Sequence, residues 1–293
     1  SLVDTPDIPS HQRAVLNFAI PSGLLEGAYN EGAELDLYAD FPAEHIVKRD
    51  PDGNWCEWTG SAYASLVTGL NGSVRCMAES PDGKIYVGGD FTNAGGVSAA
   101  DYLARWNPVS KAWEAVVAGI SSFVQTMAFD ANGDLYIGGG FTNLGGGAGN
   151  GIVKITDING TPTVNALGTG VTFGGGGSVA SIVISPDSTV YVAGGIANAG
   201  GVAGTLNIAK WDGVAWSALA AGLNGFVYQM AFAPNGDLYI GGDFTNADGT
   251  YGDYLCYWDG ASFNRVGTVE LGANGYVYTI DFDPSGNLYI GGD

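Results

Sequence analysis

The sequence has few charged residues, and positively charged residues are especially few. This composition argues against some classes of binding partner. Of its 293 residues only 14% are charged, and ten Lys and Arg stand against thirty Asp and Glu, for a formal net charge of -20. A strongly negative chain is repelled by phosphate backbones and by anionic lipid. We therefore expect no nucleic acid partner and no membrane surface as a partner.

Long apolar runs and a cysteine framework are also missing. No apolar run reaches the roughly 18 residues of a membrane-spanning helix, so membrane insertion is not expected. Three cysteines without CxxC spacing predict neither a disulfide framework nor a zinc site. Cys56 and Cys256 stand two residues before a Trp, where other copies of the same stretch carry Ala104 and Ala209. We interpret these cysteines as small buried apolar residues.

Glycine, in contrast, is abundant. The chain has 49 glycines without a G-X-Y period, which excludes collagen and indicates many tight turns and close backbone approaches. Apolar residues make up 46% of the chain, so a sizeable core can be buried. The composition predicts a globular protein.

The glycines belong to a phrase that recurs along the chain. KIYVGGDFTNAGG at 84–96 returns as DLYIGGGFTNLGG at 134–146 and as DLYIGGDFTNADG at 237–249. Five copies are marked by Tyr86, Tyr136, Tyr191, Tyr239 and Tyr289, at spacings of 50, 55, 48 and 50 residues. Repeats of this length indicate a fold built from one recurring supersecondary unit.

Each unit is predicted to contain two β-hairpins in series. The first half, for example VYQMAFAPNGDLYIGGDF at 227–244, places two runs of β-branched and aromatic residues about an Asn-Gly turn. The second half, for example IAKWDGVAWSALAAGLNG at 208–225, has two further short strands about a turn. Repeated units of four antiparallel strands predict an all-β protein of the β-propeller class, in which each blade covers the faces of its neighbours.

The count of half-units predicts how the propeller is closed. Residues 46–293 contain five first halves and five second halves, so five blades are expected. Because a second half at 56–72 comes first and a first half ending at Asp293 comes last, the N- and C-terminal half-blades are predicted to join in one blade. Six blades are the alternative, since residues 34–55 look like an eroded copy. Residues 1–45 are expected to be an attachment segment or extra strands.

The repeat resembles the kelch repeat, which has a double glycine after its second strand and then two aromatic residues. Here these features are Gly88-Gly89 followed by Trp106 and Trp113. Two further copies carry the same pattern, with Gly194-Gly195 before Trp211 and Trp216, and Gly241-Gly242 before Trp258 and Phe263. The fuller phrase is similar to the glycine-rich, kelch-like repeats of bacterial surface proteins and phage tail proteins. The resemblance implies a propeller fold, and it places the recurring tryptophans in blade-to-blade packing.

The sequence offers little that indicates catalysis or metal binding. His11 and His45 lie before the repeats, which argues against the copper oxidases of the kelch type. Most carboxylates stand in predicted turns, where Asp bonds its own backbone. DANGD at 130–134 has the alternating oxygens of a calcium loop but lacks the following glycine and the distal Glu, so a hairpin turn is favoured. We therefore expect that the protein is not an enzyme and that it binds no cofactor and no metal. The alternative is a glycosidase that uses a pair of carboxylates.

The recurring DFTNAGG loop is the candidate binding element. The loops and the GLNG links are predicted to meet at one rim, where amide, hydroxyl and carboxylate groups would suit a sugar. The predicted ligand-binding residues are Asp90, Thr92, Asn93, Thr142, Asn143, Asn198, Asp243, Thr245 and Asn246. The structural alternative is that these side chains bond the loop backbone while Phe91, Phe141 and Phe244 fill the gap between blades.

Together these features predict a non-enzymatic recognition or adhesion module. We expect an extracellular or virion-surface location, in a phage tail, a capsid decoration or a bacterial surface. The expected partners are a cell-surface glycan or protein, bound through one propeller rim, and other subunits of the virion or surface assembly. The alternatives are a purely structural assembly domain and a carbohydrate-active hydrolase.

Overall fold

The fold is all-β throughout the part of the chain that the structure describes. The structure, a computed structural model, describes the three strands 47–49, 55–58 and 63–65 and then residues 69–144, 149–247, 253–267 and 273–293. These residues contain no helix, and so none of them forms a helix that could cross a membrane. The predicted boundary near residue 45 lies outside the described residues.

Four sheets have the predicted four antiparallel strands. Their strands follow one another in chain order across each sheet. The first sheet comprises β4 (Val74–Glu79), β5 (Ile85–Gly89), β6 (Leu103–Asn107) and β7 (Ala112–Ala115). The second comprises β8 (Val124–Phe129), β9 (Leu135–Gly139), β10 (Ile152–Thr156) and β11 (Thr163–Ala166). The third comprises β13 (Val179–Ile184), β14 (Val190–Gly194), β16 (Ile208–Trp211) and β17 (Trp216–Ser217). The fourth comprises β18 (Val227–Phe232), β19 (Leu238–Gly242), β20 (Leu255–Trp258) and β21 (Phe263–Arg265).

The remaining strands form smaller sheets. A three-stranded sheet contains β1 (Val47–Arg49), β2 (Trp55–Trp58) and β3 (Tyr63–Ser65), with β2 in its centre. An additional pair joins β12 (Val171–Phe173) to β15 (Ile196–Ala199). The last hairpin, β22 (Val277–Phe282) with β23 (Leu288–Gly292), is a two-stranded sheet. The five-blade count and the joining of terminal half-blades therefore stay predictions.

The described residues divide into two compact units, one up to Ala118 and the other from Gly119 to Asp293. In the first unit, the β4–β7 sheet buries a cluster that includes Val87, Phe91 and Trp106. Trp106 meets Trp113 edge to face across β6 and β7, with ring centroids 5.4 Å apart. The pairing of these two rings explains why the repeat carries aromatic residues on both strands of its second hairpin.

In the second unit, first strands of successive sheets pack beside one another. Strand β8 lies against β13, β13 against β18, and β18 against β22. Buried polar side chains bridge two of these contacts. Ser181 Oγ accepts a hydrogen bond from the Met230 backbone N at 3.0 Å, and Gln229 Oε1 accepts one from the Ile280 N at 3.2 Å. Trp211 and Trp258 are buried, as predicted, as is Trp106 of the first unit.

A β-bulge at the start of each first strand explains the glycine doublet. Val227 pairs with Gly242 and Gln229 with Gly241, so Tyr228 is an extra residue on its strand. The same shift occurs in all five first hairpins, and the extra residues are Arg75, Gln125, Ala180, Tyr228 and Tyr278. A bulge of this kind bends its strand and re-aims the extra side chain.

Both glycines of the β9 doublet lie where a side chain would not fit, whereas in the third copy the equivalent pair is Ala193 and Gly194. A Cβ on Gly139 would overlap the backbone carbonyl of Phe123. Phe123 directly precedes β8, the strand that carries the bulge of the same sheet. A Cβ on Gly138 would come within 2.5 Å of the Val179 side chain, on the first strand of the next sheet. One glycine therefore admits the bulge, and the other admits the neighbouring sheet.

We predict that Gly139→Ala lowers the free energy of unfolding by about 3 kcal/mol, because the new methyl group forces backbone away from backbone. Chemical denaturation followed by tryptophan fluorescence measures the loss. Gly174→Ala is the matched control, since its nearest neighbour to a new Cβ is Ala197 at 4.0 Å. Equal stabilities of the two variants would contradict the close-approach explanation.

Candidate binding surface at the loop edge

The loop edge is the end of each sheet at which the first strand begins and the second strand ends. The bulge, the glycine doublet and the DFTNAGG loop all lie there. The residue after the doublet donates its backbone N–H to the carbonyl of the residue before the first strand, as in Asp90 N to Ser73 O at 2.9 Å and Asp243 N to Phe226 O at 2.9 Å. The backbone of the loop edge is thus the same from copy to copy, while the bulge side chain differs.

In the first unit, the link before β4 holds the DFTNAGG loop in place. Asn71 Nδ2 donates to Thr92 Oγ1 at 3.1 Å, and Asn71 Oδ1 accepts from the Thr92 backbone N at 2.8 Å. Leu70 forms a β-bridge with Ala94 beside this pair. The predicted meeting of links and loops is therefore confirmed in this unit.

The second unit repeats the same arrangement. Asn224 Nδ2 donates to Thr245 Oγ1 at 3.0 Å, and Asn224 Oδ1 accepts from the backbone N of both Thr245 and Asn246 at 2.9 Å. In another copy Ser121 takes the place of the link asparagine. Its hydroxyl accepts a hydrogen bond from Thr142 N at 2.9 Å and donates one to Thr142 O at 3.0 Å. The link residue holds the loop by hydrogen bonds in each case.

Several predicted ligand-binding residues are engaged within the protein. Asp90 pairs with the bulge residue Arg75, with Arg75 Nε donating to Asp90 Oδ2 at 2.8 Å. Asn93 Oδ1 accepts from Gly96 N at 2.7 Å, and Asn198 Nδ2 donates to Val202 O at 2.7 Å. These bonds are those of the structural alternative. Its three phenylalanines are also fully buried, namely Phe91, Phe141 and Phe244.

The other predicted residues are placed as follows. The Thr92, Thr142 and Thr245 side chains reach solvent at the loop tips, and Asn143 is exposed in a left-handed conformation with φ of 58°. Asn246 is half-buried, and no described hydrogen bond involves its side chain. Asp243 Oδ1 accepts from the backbone N of Phe226. Asp243 lies beside a group of aromatic residues that the sequence analysis did not predict as a site.

This feature is the tyrosine patch, a group of aromatic rings in the second unit formed by Phe226, Tyr228, Tyr254, Tyr276 and Tyr278. Ring centroids are 5.1 Å apart for Phe226 and Tyr228, and 4.9 Å apart for Tyr228 and Tyr278. Tyr254 and Tyr276 are separated by 5.5 Å, and Tyr276 and Tyr278 by 6.3 Å. The patch is an unbroken chain of aromatic contacts at the loop edge of β18 and β22.

Two carboxylates border the patch. Tyr278 donates its hydroxyl to Asp293 Oδ2 at 2.9 Å. Burial, helped by the negative charge of Asp243, raises the pKa of Tyr228 to about 12. The Tyr228 phenol therefore stays protonated at neutral pH and can act as a hydrogen-bond donor.

Tyr254 occupies a backbone position that disfavours it. Its φ is 63°, in the left-handed region, whereas the equivalent residues of two other copies are Gly151 and Asn207. Glycine and asparagine tolerate this region, but for an aromatic residue it costs about 1 to 3 kcal/mol. Tyr102 of the first unit has the same φ of 63°. The strained position is therefore occupied by a tyrosine both in a copy with the patch and in a copy without it.

The calcium-like hairpin at 130–134 holds a lysine between its carboxylates. Lys154 Nζ lies 3.0 Å from Asp130 Oδ2 and 2.8 Å from Asp134 Oδ2. Asp130 Oδ1 also accepts from the backbone N of Asn132 and of Asp134. The hairpin interpretation of this segment is confirmed, and the two carboxylates raise the pKa of Lys154. Among the described residues, no group of three or more His, Cys, Asp or Glu is arranged to hold a metal.

Comparison with known proteins supports the propeller class. Residues 80–109 match the model of a β-propeller domain of unknown function, DUF5122. No curated protein matches the sequence. The matched segment runs from the first hairpin of the β4–β7 sheet into its second, which is the repeat described above.

Solved structures with the same fold share little sequence with this chain. An extracellular domain described as that of the one-component system BT4673 from B. thetaiotaomicron has a TM-score of 0.50 and 14% identity, over 85% of this chain and 29% of that one. Virginiamycin B lyase from Staphylococcus aureus has a TM-score of 0.50 and 12% identity, over 90% of this chain and 75% of the lyase. This chain therefore spans less than a third of the B. thetaiotaomicron domain, and identities this low show the fold alone. The protein is an all-β protein built from β-propeller repeats.

We predict that Asn224→Ala lowers the free energy of unfolding by about 1 kcal/mol, because the Thr245 loop loses three hydrogen bonds. Thermal unfolding followed by circular dichroism provides the measurement. Val214→Ser, at an exposed turn position of the same unit, is the control and should leave stability nearly unchanged. The reverse order of the two variants would show that the link does not hold the loop.

We predict that Lys154→Met lowers the free energy of unfolding by about 2 kcal/mol, because it leaves the buried Asp130 carboxylate without its cation. Lys210→Met should have a smaller effect on stability, because Lys210 has the same strand position in a copy that carries Ser185 and Thr189 in place of the two aspartates. Calcium chloride is expected not to change the Tm of the unaltered protein. A clear rise in Tm with calcium would contradict the assignment of this hairpin to Lys154.

Proposed function

We propose that this chain is a non-enzymatic recognition module that binds a glycan or a protein through its loop edge. One observation carries the proposal: an invariant backbone arrangement presents four different side chains in the five copies. The bulge side chains are Arg75, Gln125, Ala180, Tyr228 and Tyr278, so charge, size and aromaticity all change while the bulge itself does not. All five residues are half-buried, so each keeps some solvent-facing surface. A rigid scaffold that presents variable residues is typical of binding surfaces.

The chemistry of the loop edge favours binding over catalysis. Asp90 is neutralised by Arg75, and Asp243 accepts a backbone N–H from Phe226. In the turns at the opposite edge, Asp283 and Asp259 accept backbone N–H groups, as turn residues do. Carboxylates engaged in this way are poorly suited to act as the acid and base of a hydrolase.

The setting that we propose is outside a cell or on a virion. The resemblance to kelch-like, glycine-rich repeats points to a phage tail, a capsid decoration or a bacterial surface. The similar B. thetaiotaomicron domain is extracellular, which is compatible with this setting. Other subunits of such an assembly are the proposed second class of partner.

We further propose that the propeller has five blades and that the last is completed by a second hairpin. Tyr289 on β23 is 60% exposed and Ile290 is 49% exposed, whereas the equivalent Tyr86 on β5 is 0% exposed. The other four strands of this type pair with a third strand along the equivalent edge, whereas β23 pairs there with no described strand. This exposure is what a half-blade without its partner hairpin would have.

Two other functions remain as competing hypotheses. In one, the chain is purely structural and its loop edge binds nothing. In the other, it is a carbohydrate-active hydrolase, as some propellers are enzymes. Binding and product release distinguish the three hypotheses.

Binding of the labelled chain to an array of glycans and bacterial-envelope preparations tests the proposal. We expect binding by the unaltered chain and a loss of binding when four bulge residues are changed to Ala together, at Arg75, Gln125, Tyr228 and Tyr278. A second variant carries Ala at the predicted loop residues Asn93, Asn143, Asn198 and Asn246. If this variant loses binding, the ligand is bound at the same edge by the loop residues and not by the bulge residues.

The control changes two exposed residues at the opposite edge of the sheets, Val109→Ser and Val214→Ser, which are 92% and 84% exposed. All variants are first compared by Tm, so that only folded proteins are scored. Absence of binding to every array feature would contradict the proposed function and favour the structural hypothesis. Release of reducing sugar by the unaltered chain would favour the hydrolase.

A further inference from the structure

The tyrosine patch is found at two of the five copies, which separates it from the residues that build the fold. At the bulge position Tyr228 and Tyr278 replace Arg75, Gln125 and Ala180 of the other copies. Two residues earlier, Phe226 and Tyr276 stand where two other copies have Ser73 and Ser178, and Phe123 is the one other aromatic there. A residue required for folding would recur in every copy. The aromatic concentration in the last two copies therefore calls for another explanation.

The patch is accessible and held in place. Tyr276 is 42% exposed, and Phe226, Tyr228, Tyr254 and Tyr278 are half-buried, so each ring has solvent-facing surface. The bulges fix the direction of Tyr228 and Tyr278, and Asp293 holds the Tyr278 hydroxyl. Rings that are already ordered lose little conformational entropy when a ligand stacks on them.

We propose, building on the recognition function above, that the tyrosine patch is a subsite for a neutral glycan, bordered by Asp243 and Asp293. Aromatic faces stack on the apolar C–H faces of sugar rings. The Tyr228 hydroxyl can donate to a sugar oxygen, and the carboxylates of Asp243 and Asp293 can accept from sugar hydroxyls.

Charge selects the class of glycan. Residues 119–293 contain three basic residues, Lys154, Lys210 and Arg265, against fourteen acidic ones. Lys154 is paired with Asp130 and Asp134 at the opposite edge of its sheet. Uronic and sialic acids would meet the carboxylates of Asp243 and Asp293 at the patch, so they are disfavoured and neutral hexose or N-acetylhexosamine units are preferred.

Calorimetric titration with neutral hexasaccharides of glucose, mannose and N-acetylglucosamine tests the assignment. We expect at least one of them to bind, and Tyr228→Ala and Tyr278→Ala each to weaken that binding about tenfold through loss of a stacking partner. Tyr228→Phe and Tyr278→Phe keep the ring and should stay within about threefold of the unaltered chain. Unchanged Tm values for these variants separate loss of the site from loss of the fold.

Val214→Ser is the control, because it alters an exposed residue of the same unit at the opposite edge of the sheets, in the turn between β16 and β17. If a glycan binds but the tyrosine variants bind it equally well, the patch assignment is wrong while the recognition function stands. If none of the three hexasaccharides binds, or if oligogalacturonate or a lysine-rich peptide binds at the patch instead, the neutral-glycan assignment is overturned. Binding elsewhere on the array would still support the broader function in that case.

Discussion

The close approach of two backbone segments at the glycine doublet is the constraint on which the repeat depends. The carbonyl of the residue before each first strand lies where a Cβ of the second glycine would be, as Phe123 O does at Gly139. That approach allows the first strand to bulge, and the bulge sets the direction of one side chain at the loop edge. The first glycine of the doublet meanwhile admits the side chains of the next sheet, as Gly138 admits Val179. Tight packing of sheet on sheet and display of a side chain thus arise from the same pair of residues.

This constraint divides the residues of a copy into two groups. One group is nearly constant: the doublet, the buried phenylalanine of the DFTNAGG loop, and link residues such as Asn224 that hold the loop by hydrogen bonds. The other group varies and includes the bulge residue and its neighbour two positions earlier. Because folding acts on every copy alike, recognition of a particular ligand can be specified only by the variable group. In the tyrosine patch the variable residues are all aromatic.

Much of the fold could be predicted from the sequence, because the period near fifty residues and the Asn-Gly turns report directly on local hairpins. The hairpins, the meeting of links and loops and the burial of Trp106, Trp211 and Trp258 were all predicted correctly. The binding residues predicted from the repeat stay a prediction, and two of them form hydrogen bonds within their own loops. Asn93 and Asn198 bond backbone within four residues along the chain, a short-range pattern that repetition alone does not distinguish from a ligand site. The patch was missed because its rings are far apart in sequence and meet through the pairing of sheets. A position-by-position comparison of the copies would have indicated it.

The most direct test of this account is a saturation mutational scan of residues 119–293 with two readouts, the amount of folded protein and the binding of the glycan-array ligand. The account predicts that substitutions at the glycine doublets and at Asn224 reduce folded protein, whereas substitutions at Tyr228, Tyr276 and Tyr278 reduce binding with folding intact. It would be contradicted if the tyrosines tolerated every substitution in both readouts while the asparagines of the DFTNAGG loops lost binding alone. In that case the repeated phrase itself, and not the variable residues that it positions, would be the recognition surface.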